Sequence, residues 1–233
     1  MSTRFWGSLG AIALIIVSTT AGAFEPPTGS RLGERLKPIA NTSANMTRIS
    51  ARLAECIAAK YPSQARAFLD ATDMQTQKAA ERPLNRSQLC DFRSFVDYNV
   101  EAINIRTERK IYRGLLAEGL LKDARRDKGL AAMPLQAKYD RPWFAMTGRE
   151  AMIDEMAVCI SAINPGGVRR IFNTLHDSTE ERAALAELAP SFGTCLESGV
   201  QLTANSLSLR TALAEALYHR AYDVAPAEGE AIP

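Results

Sequence analysis

The stretch LAECIAAKYPSQARAFLDA at residues 53–71 decides the fold, because it returns without a gap as MAVCISAINPGGVRRIFNT at residues 156–174. Both blocks carry a cysteine and, six residues after it, a proline: Pro62 in the first block and Pro165 in the second. Apolar side chains before each proline recur at the period of a helix with one buried face. A proline ends such a helix and is tolerated in the first turn of the next. Each block therefore predicts two consecutive helices.

A second pair of matching blocks follows in the same order along the chain. RGLLAEGL at residues 113–120 corresponds to RTALAEAL at residues 210–217, and an apolar stripe with a spacing of four residues runs through each. No long alternating run of β-branched residues occurs that would indicate a strand. We therefore predict an all-α fold, a tandem duplication of a three- to four-helix module.

Each copy also contains two cysteines, Cys56 and Cys90 in the first and Cys159 and Cys195 in the second. Four cysteines can pair in three ways, and the repeat is compatible with all three. Independent modules favour Cys56–Cys90 and Cys159–Cys195, which close the shorter loops and give one disulfide per module. CxxC and CxxCH motifs are absent from the sequence. We predict no metal site and no cofactor.

The first 23 residues have the order of features of a secretory signal peptide. Arg4 supplies the positive start, LGAIALIIV at residues 9–17 the apolar run, and Ala21-Gly22-Ala23 the small-residue cleavage pattern. The run is about half the ~20 residues that a membrane-spanning helix needs. We predict cleavage after residue 23, a periplasmic or secreted protein, and no membrane span after cleavage.

The remaining segments follow from the positions of the repeat and from composition. They are an extended N-terminal segment at 24–40, helical module 1 at 41–123, a basic and aromatic linker at 124–146, helical module 2 at 147–224 and a disordered tail at 225–233. The net charge of +2 is too small to indicate nucleic acid as a partner.

An arginine and a glutamate recur in the two closing blocks, as Arg113 with Glu118 and as Arg210 with Glu215. Five residues place the two side chains of each pair about 140° apart on a helix, so neither pair is an ion pair within its own helix. In one interpretation the arginine stems pack on the core and the glutamates are good helix formers. In the other, two equivalent sets of charged groups face a shared cleft.

Other chemistry-bearing residues have no equivalent in the other copy. Tyr139, Trp143 and Phe144 lie close together beside a proline, a pattern typical of a linker docked onto its domains and, less often, of an exposed recognition loop. His176 and His219 are outside any HExxH motif, and no GxSxG motif accompanies them. We interpret both as surface or helix-end histidines.

The segment LRTALAEALY at residues 209–218, with a cysteine before it, resembles the tail of small exported bacterial helical proteins. The resemblance covers the repeat blocks only. It implies export and a helical fold, and it carries no catalytic residues to this chain.

Our first functional hypothesis is a non-catalytic helical module that binds an unknown protein or an envelope ligand in the groove between the two copies. The predicted interaction residues are Arg113, Glu118, Tyr139, Trp143, Phe144, Arg210 and Glu215. The alternative is a hydrolase that uses carboxylates on the closing helices, which would need two converging carboxyl groups with one raised pKa. A stress or metal-resistance chaperone is a third, weaker option, because the methionines are scattered.

Overall fold

All regular structure in the described part of the chain is helical. The computed structural model describes residues 43–85, 90, 107–124, 129–196, 199–200 and 204–223, and no strand occurs among them. In chain order the helices there are α1 (Ser43–Lys60), α2 (Pro62–Leu69), α3 (Met74–Leu84), α4 (Arg109–Ala124), α5 (Phe144–Thr147), α6 (Ala151–Ile163), α7 (Pro165–Phe172), α8 (Thr179–Glu187), α9 (Ala189–Cys195) and α10 (Ser206–Asp223). The predicted all-α fold class is confirmed.

The two matched blocks form the same pair of helices, with a proline as the first residue of the second helix. Pro62 begins α2 immediately after α1, and Pro165 begins α7 immediately after α6. In the second copy the side chain of Asn164 also caps α7 by accepting a hydrogen bond from the Gly167 amide at 2.9 Å. Because proline lacks an amide hydrogen, it leaves no backbone donor unsatisfied in a first helical turn.

The closing helices α4 and α10 lie at the centre of the fold and pack against each other. Helices α1 and α2 cover α4, whereas α6 and α7 cover α10. As a result, every residue from 113 to 121 and from 210 to 219 is buried, rather than only the predicted leucine stripes. The hydrophobic core is continuous across residues of both copies.

The two central helices approach most closely at Gly114 of α4 and Thr211 of α10, which occupy equivalent positions in the two copies. A Cβ atom added to Gly114 would lie 2.3 Å from the Thr211 Cβ and 2.3 Å from its carbonyl oxygen. Real Cβ atoms do not approach other heavy atoms so closely, and the obstructing atoms include backbone. Only glycine at position 114 permits this helix crossing.

We expect Gly114→Ala to lower the free energy of unfolding by about 1–3 kcal/mol, because the added methyl group forces the two central backbones apart. Gly166→Ala in α7 is the matched control, since a Cβ at that position meets no atom within 4 Å. That control should be neutral or stabilising by up to about 1 kcal/mol, as alanine favours the helix. Urea unfolding of both variants makes the comparison, and a Gly114→Ala protein as stable as wild type would contradict the crossing described above.

The disulfides join Cys56 to Cys90 and Cys159 to Cys195, which confirms the favoured pairing. Each copy therefore has one cross-link that starts from its first helix, α1 or α6. Cys159 and Cys90 are buried, at 1% and 4% exposure. The sequence separations are 34 and 36 residues, so the two bridges constrain loops of similar size.

All described residues belong to a compact unit at Leu36–Pro233. The predicted signal peptide, the extended segment at 24–40, the tail at 225–233 and the linker residues 125–128 lie outside the described residues. The predicted module boundaries stay predictions. No helix in the described ranges is both long enough and apolar enough to cross a membrane.

Candidate functional site

The four repeated charged residues pair across the two central helices. Arg113 Nε lies 2.7 Å and its Nη2 2.5 Å from Glu215 Oε1. Arg210 Nε lies 2.8 Å from Glu118 Oε2, and its Nη2 lies 2.6 Å from Glu118 Oε1. Each helix thus gives its arginine to the glutamate of the other, the reciprocal pattern of a two-fold contact. We call these the reciprocal pairs.

The reciprocal pairs lie in the protein interior. Arg113, Arg210 and Glu215 are 0% exposed and Glu118 is 2% exposed. Sequence reasoning placed all four on a possible interaction surface, whereas the structure covers them with the outer helices. A partner could reach them only if those helices separated.

A second arginine also contacts Glu215. Arg149, between α5 and α6, places Nη2 2.8 Å from Glu215 Oε2 and Nη1 2.9 Å from Asp154 Oδ1. Thr147 donates its hydroxyl hydrogen to Asp154 Oδ2 at 2.6 Å. We call Arg113, Thr147, Arg149, Asp154 and Glu215 the Glu215 cluster. Its two cations and two anions balance in charge.

The equivalent Glu118 cluster comprises Glu118, Lys122, His176, Glu181 and Arg210. Arg210 Nη1 lies 2.9 Å from Glu181 Oε1, and Lys122 Nζ lies 2.8 Å from Glu118 Oε1. His176 Nε2 lies 3.5 Å from Glu118 Oε2. Glu181 is 1% exposed and His176 is 6% exposed. Arg210 is therefore shared by two buried carboxylates, one of which, Glu118, also contacts the exposed Lys122.

The electrostatics of both repeated glutamates favour the ionised form. Burial by itself raises the pKa of Glu118, but the hydrogen bonds from Arg210, together with the nearby His176 ring, outweigh burial and lower that pKa well below its ordinary value. Burial likewise opposes ionisation of Glu215, and the charges of Arg113 and Arg149 reverse the balance, so its pKa is also lowered. A general acid needs a raised pKa, so neither carboxyl group suits that role at neutral pH.

The aromatic residues of the predicted linker are docked onto the second copy. Tyr139 and Trp143 are 7% and 5% exposed, and Phe144 is half-buried. The Tyr139 hydroxyl oxygen accepts a hydrogen bond from the Gln136 amide at 2.8 Å. The Trp143 ring stacks on His219 of α10, with centroids 4.3 Å apart and planes 10° apart. The contacts match the docking interpretation of this stretch.

Arg220 of α10 forms hydrogen bonds that hold the same segment on the helices. Its guanidinium donates to the carbonyl oxygens of Ser161 and Ala162 near the end of α6, and to that of Ala131 in the segment. The Met133 amide donates to the Ala162 carbonyl at 2.8 Å. We call residues 129–143 the strap, because these bonds hold it across α6 and α10.

A cavity of about 190 Å³ lies between the strap and the helices under it. The strap contributes Met133, Gln136, Arg141 and Trp143 to its walls. Helix α6 contributes Val158 and Ala162, and α10 contributes Ala216, His219 and Arg220.

Two residues that line the cavity have a ring nitrogen without a hydrogen-bond partner. Trp143 Nε1 and His219 Nε2 are buried and make no hydrogen bond. Burial lowers the pKa of His219 from its ordinary 6.5 to about 4. The positive charges of Arg113 and Arg149 also lower this pKa, whereas the negative charge of Glu215 raises it. The imidazole is therefore neutral at pH 7, a buried residue rather than the surface or helix-end histidine predicted from the sequence.

No protein-family model, curated protein or solved structure matches the chain. The described residues form an all-α, disulfide-bonded fold with a buried charge network and a strap-covered cavity. Among the described residues, no group of three or more histidine, cysteine, aspartate or glutamate side chains has an arrangement that could hold a metal ion.

The lowered pKa of His219 predicts a specific loss of stability in acid. Between pH 6.5 and about 4 the unfolded chain binds a proton on this imidazole that the folded chain does not, so stability falls as pH decreases through that window. The loss attributable to His219 should be on the order of 3 kcal/mol. His219→Phe keeps a ring to stack on Trp143 but cannot titrate. Denaturant unfolding of both proteins at pH 7 and pH 4 should show the steeper loss in wild type, and parallel losses would contradict the assignment.

Proposed function

We propose that the protein is an exported, non-catalytic binding module of the periplasm or the extracellular space. Its ligand occupies the cavity between the strap and helices α6 and α10. The observation that carries the proposal is the cavity itself, which is lined by the buried aromatic rings of Trp143 and His219 and by the polar side chains of Gln136, Arg141 and Arg220. Small-molecule sites are commonly concave, largely apolar and supplied with a few such polar groups.

Export is supported by the sequence and the cross-links together. The order of a positive start, a short apolar run and an Ala-Gly-Ala site is that of a signal peptide. Disulfides persist in oxidising compartments, and all four cysteines are bridged. Intact mass of the protein recovered from its host should correspond to a chain that begins at Phe24.

The absence of catalysis is supported by the state of the repeated carboxylates. Glu118 and Glu215 are each held by arginines, and both pKa values are lowered. Neither carboxylate lines the cavity. A hydrolase would need at least one of them protonated and facing a substrate, so the observations favour binding over hydrolysis.

Cavity-filling variants provide the test. Ala216 is 2% exposed on α10 and Ala162 is 5% exposed on α6, and both line the cavity. A set of fluorinated single-ring compounds, screened by ¹⁹F NMR, should include compounds that bind wild type. The same compounds should lose binding to Ala216→Leu and to Ala162→Leu, which fill the space from two different helices.

Ala186→Leu is the control, because Ala186 is exposed on α8 and does not line the cavity. Circular dichroism of each variant identifies any that fails to fold, and the second cavity-filling variant then decides. Two results would refute the proposal: no compound binds wild type, or binding is unchanged in both folded cavity-filling variants.

A further inference from the structure

Building on the proposed binding function, we infer that the cavity selects a single-ring aromatic carboxylate. Three properties of the cavity favour this ligand: its volume, its stacked aromatic wall and its unbalanced positive charge. Each restricts the ligand independently.

The volume limits the ligand to about one ring. An apolar cavity of roughly 150 Å³ is large enough to hold benzene, whereas drug-sized ligands occupy about 300 Å³ or more. At about 190 Å³, this cavity has room for a ring with one small substituent. Met133 is 43% exposed and Gln136 is also exposed, so the cavity lies close to the protein surface.

The composition of the walls favours an aromatic ring. The side chains of Met133, Val158, Ala162 and Ala216 are apolar, and the stacked indole of Trp143 offers an aromatic surface. An aromatic ring is therefore the ligand group that best matches these walls.

The charge on the walls favours an anion. Arg141 and Arg220 line the cavity, and no aspartate or glutamate is among the described residues that do. Arg220 donates to backbone carbonyl oxygens, and Arg141 Nη1 donates to the Asp140 carbonyl at 2.8 Å. Neither guanidinium is paired with a carboxylate of the described residues.

Buried charge behind the cavity does not cancel this preference. Glu215 lies close enough to His219 to influence its pKa, but Arg113 and Arg149 already neutralise that carboxylate. His219 itself is neutral at pH 7. A carboxylate accepts charge-assisted hydrogen bonds from an arginine, which are about twice as strong as those between neutral groups. Half-buried Arg141 is the residue we assign to the ligand carboxylate.

The experiment compares three fluorinated probes that separate ring from charge. 4-Fluorobenzoate has both, 4-fluorobenzyl alcohol has the ring alone, and trifluoroacetate has the carboxylate alone. By ¹⁹F NMR titration of wild type at pH 7, 4-fluorobenzoate should bind roughly tenfold more tightly than the alcohol. Trifluoroacetate should not bind measurably. Ala216→Leu should lose both ring compounds.

Arg141→Gln should reduce the affinity for 4-fluorobenzoate to about that for the alcohol and leave the alcohol unchanged. Arg182→Gln is the matched control, because the Arg182 side chain is 60% exposed and does not line the cavity. Its affinities should equal those of wild type.

The outcomes separate the inference from the proposed function. If the alcohol binds as tightly as the benzoate and Ala216→Leu abolishes both, the ligand class is wrong and the binding function stands. A benzoate preference that survives Arg141→Gln also overturns the inference. If neither ring compound nor any compound of the wider screen binds, the proposed function fails with it.

Discussion

Arg210→Met is expected to lower the free energy of unfolding by about 3–5 kcal/mol, the cost of breaking a buried ion pair by removing one partner. The Arg210 side chain is 0% exposed and contacts both Glu118 and Glu181, whose own side chains are 3% and 2% exposed. Methionine is unbranched, like the aliphatic part of arginine, and has no charge, so the change leaves two buried carboxylates without their shared arginine. Urea unfolding at pH 7 measures the loss.

Arg182→Met is the control for Arg210→Met. Arg182 pairs with Asp177 at the surface over 3.8 Å, and exposed pairs of this kind contribute about 0–1 kcal/mol. The double variant Glu118→Leu, Arg210→Met should lose less free energy of unfolding than the sum of the losses of the two single variants. The reason is that Glu118→Leu removes one of the buried carboxylates that Arg210→Met leaves without its arginine. Strictly additive losses would show that the two side chains do not interact as described.

Loss of the disulfides is the second large effect. Replacing Cys159 and Cys195 by alanine should lower the free energy of unfolding by about 3–4 kcal/mol, because the unfolded chain regains the freedom of a 36-residue loop. The pair Cys56 and Cys90, 34 residues apart, should give a loss of the same size. With all four cysteines replaced, the summed loss of about 6–8 kcal/mol is comparable to the whole stability of a typical domain.

Denaturant unfolding of the two double variants and circular dichroism of the quadruple variant check these values. Wild type treated with a reducing agent should behave like the quadruple variant. A quadruple variant as stable as wild type would mean that the bridges contribute nothing and that packing of α4 on α10 suffices.

The regular structure could be predicted because its determinants are local. The spacing of apolar residues before Pro62 and Pro165 defines the first helices, and each proline starts the next helix without an unsatisfied donor. The disulfide pairing followed from loop length within each copy. Packing between the copies has no such local signal, and for that reason the burial of every residue at 113–121 and 210–219 was not foreseen.

The reciprocal pairs illustrate the limit of sequence reasoning at the site. The repeat revealed Arg113, Glu118, Arg210 and Glu215, and their five-residue spacing excluded pairs within one helix. It could not show that each arginine reaches the glutamate of the other helix. That arrangement depends on the close crossing at Gly114, a long-range contact.

Some residues of the two clusters were missed altogether. Arg149 and Asp154 follow the linker, and Glu181 lies in α8, outside the matched blocks. Ser178 and Glu181 have the spacing of a helix-capping motif, which predicts the start of α8 but not the contact of Glu181 with Arg210. The cavity could not be predicted from the sequence either, because its walls combine the strap with two helices that are distant from each other in the chain.

The protonation state of Glu118 and Glu215 in the folded protein tests the central claim, which is that the repeated charged residues stabilise the fold and are not catalytic groups. Their side-chain carboxyl carbons can be followed by ¹³C NMR as pH decreases, with Glu→Gln variants for assignment. We expect both groups to stay ionised below their ordinary pKa of 4.5 for as long as the protein is folded. A pKa above 4.5 for either group in the folded protein, as a general acid requires, would contradict the account.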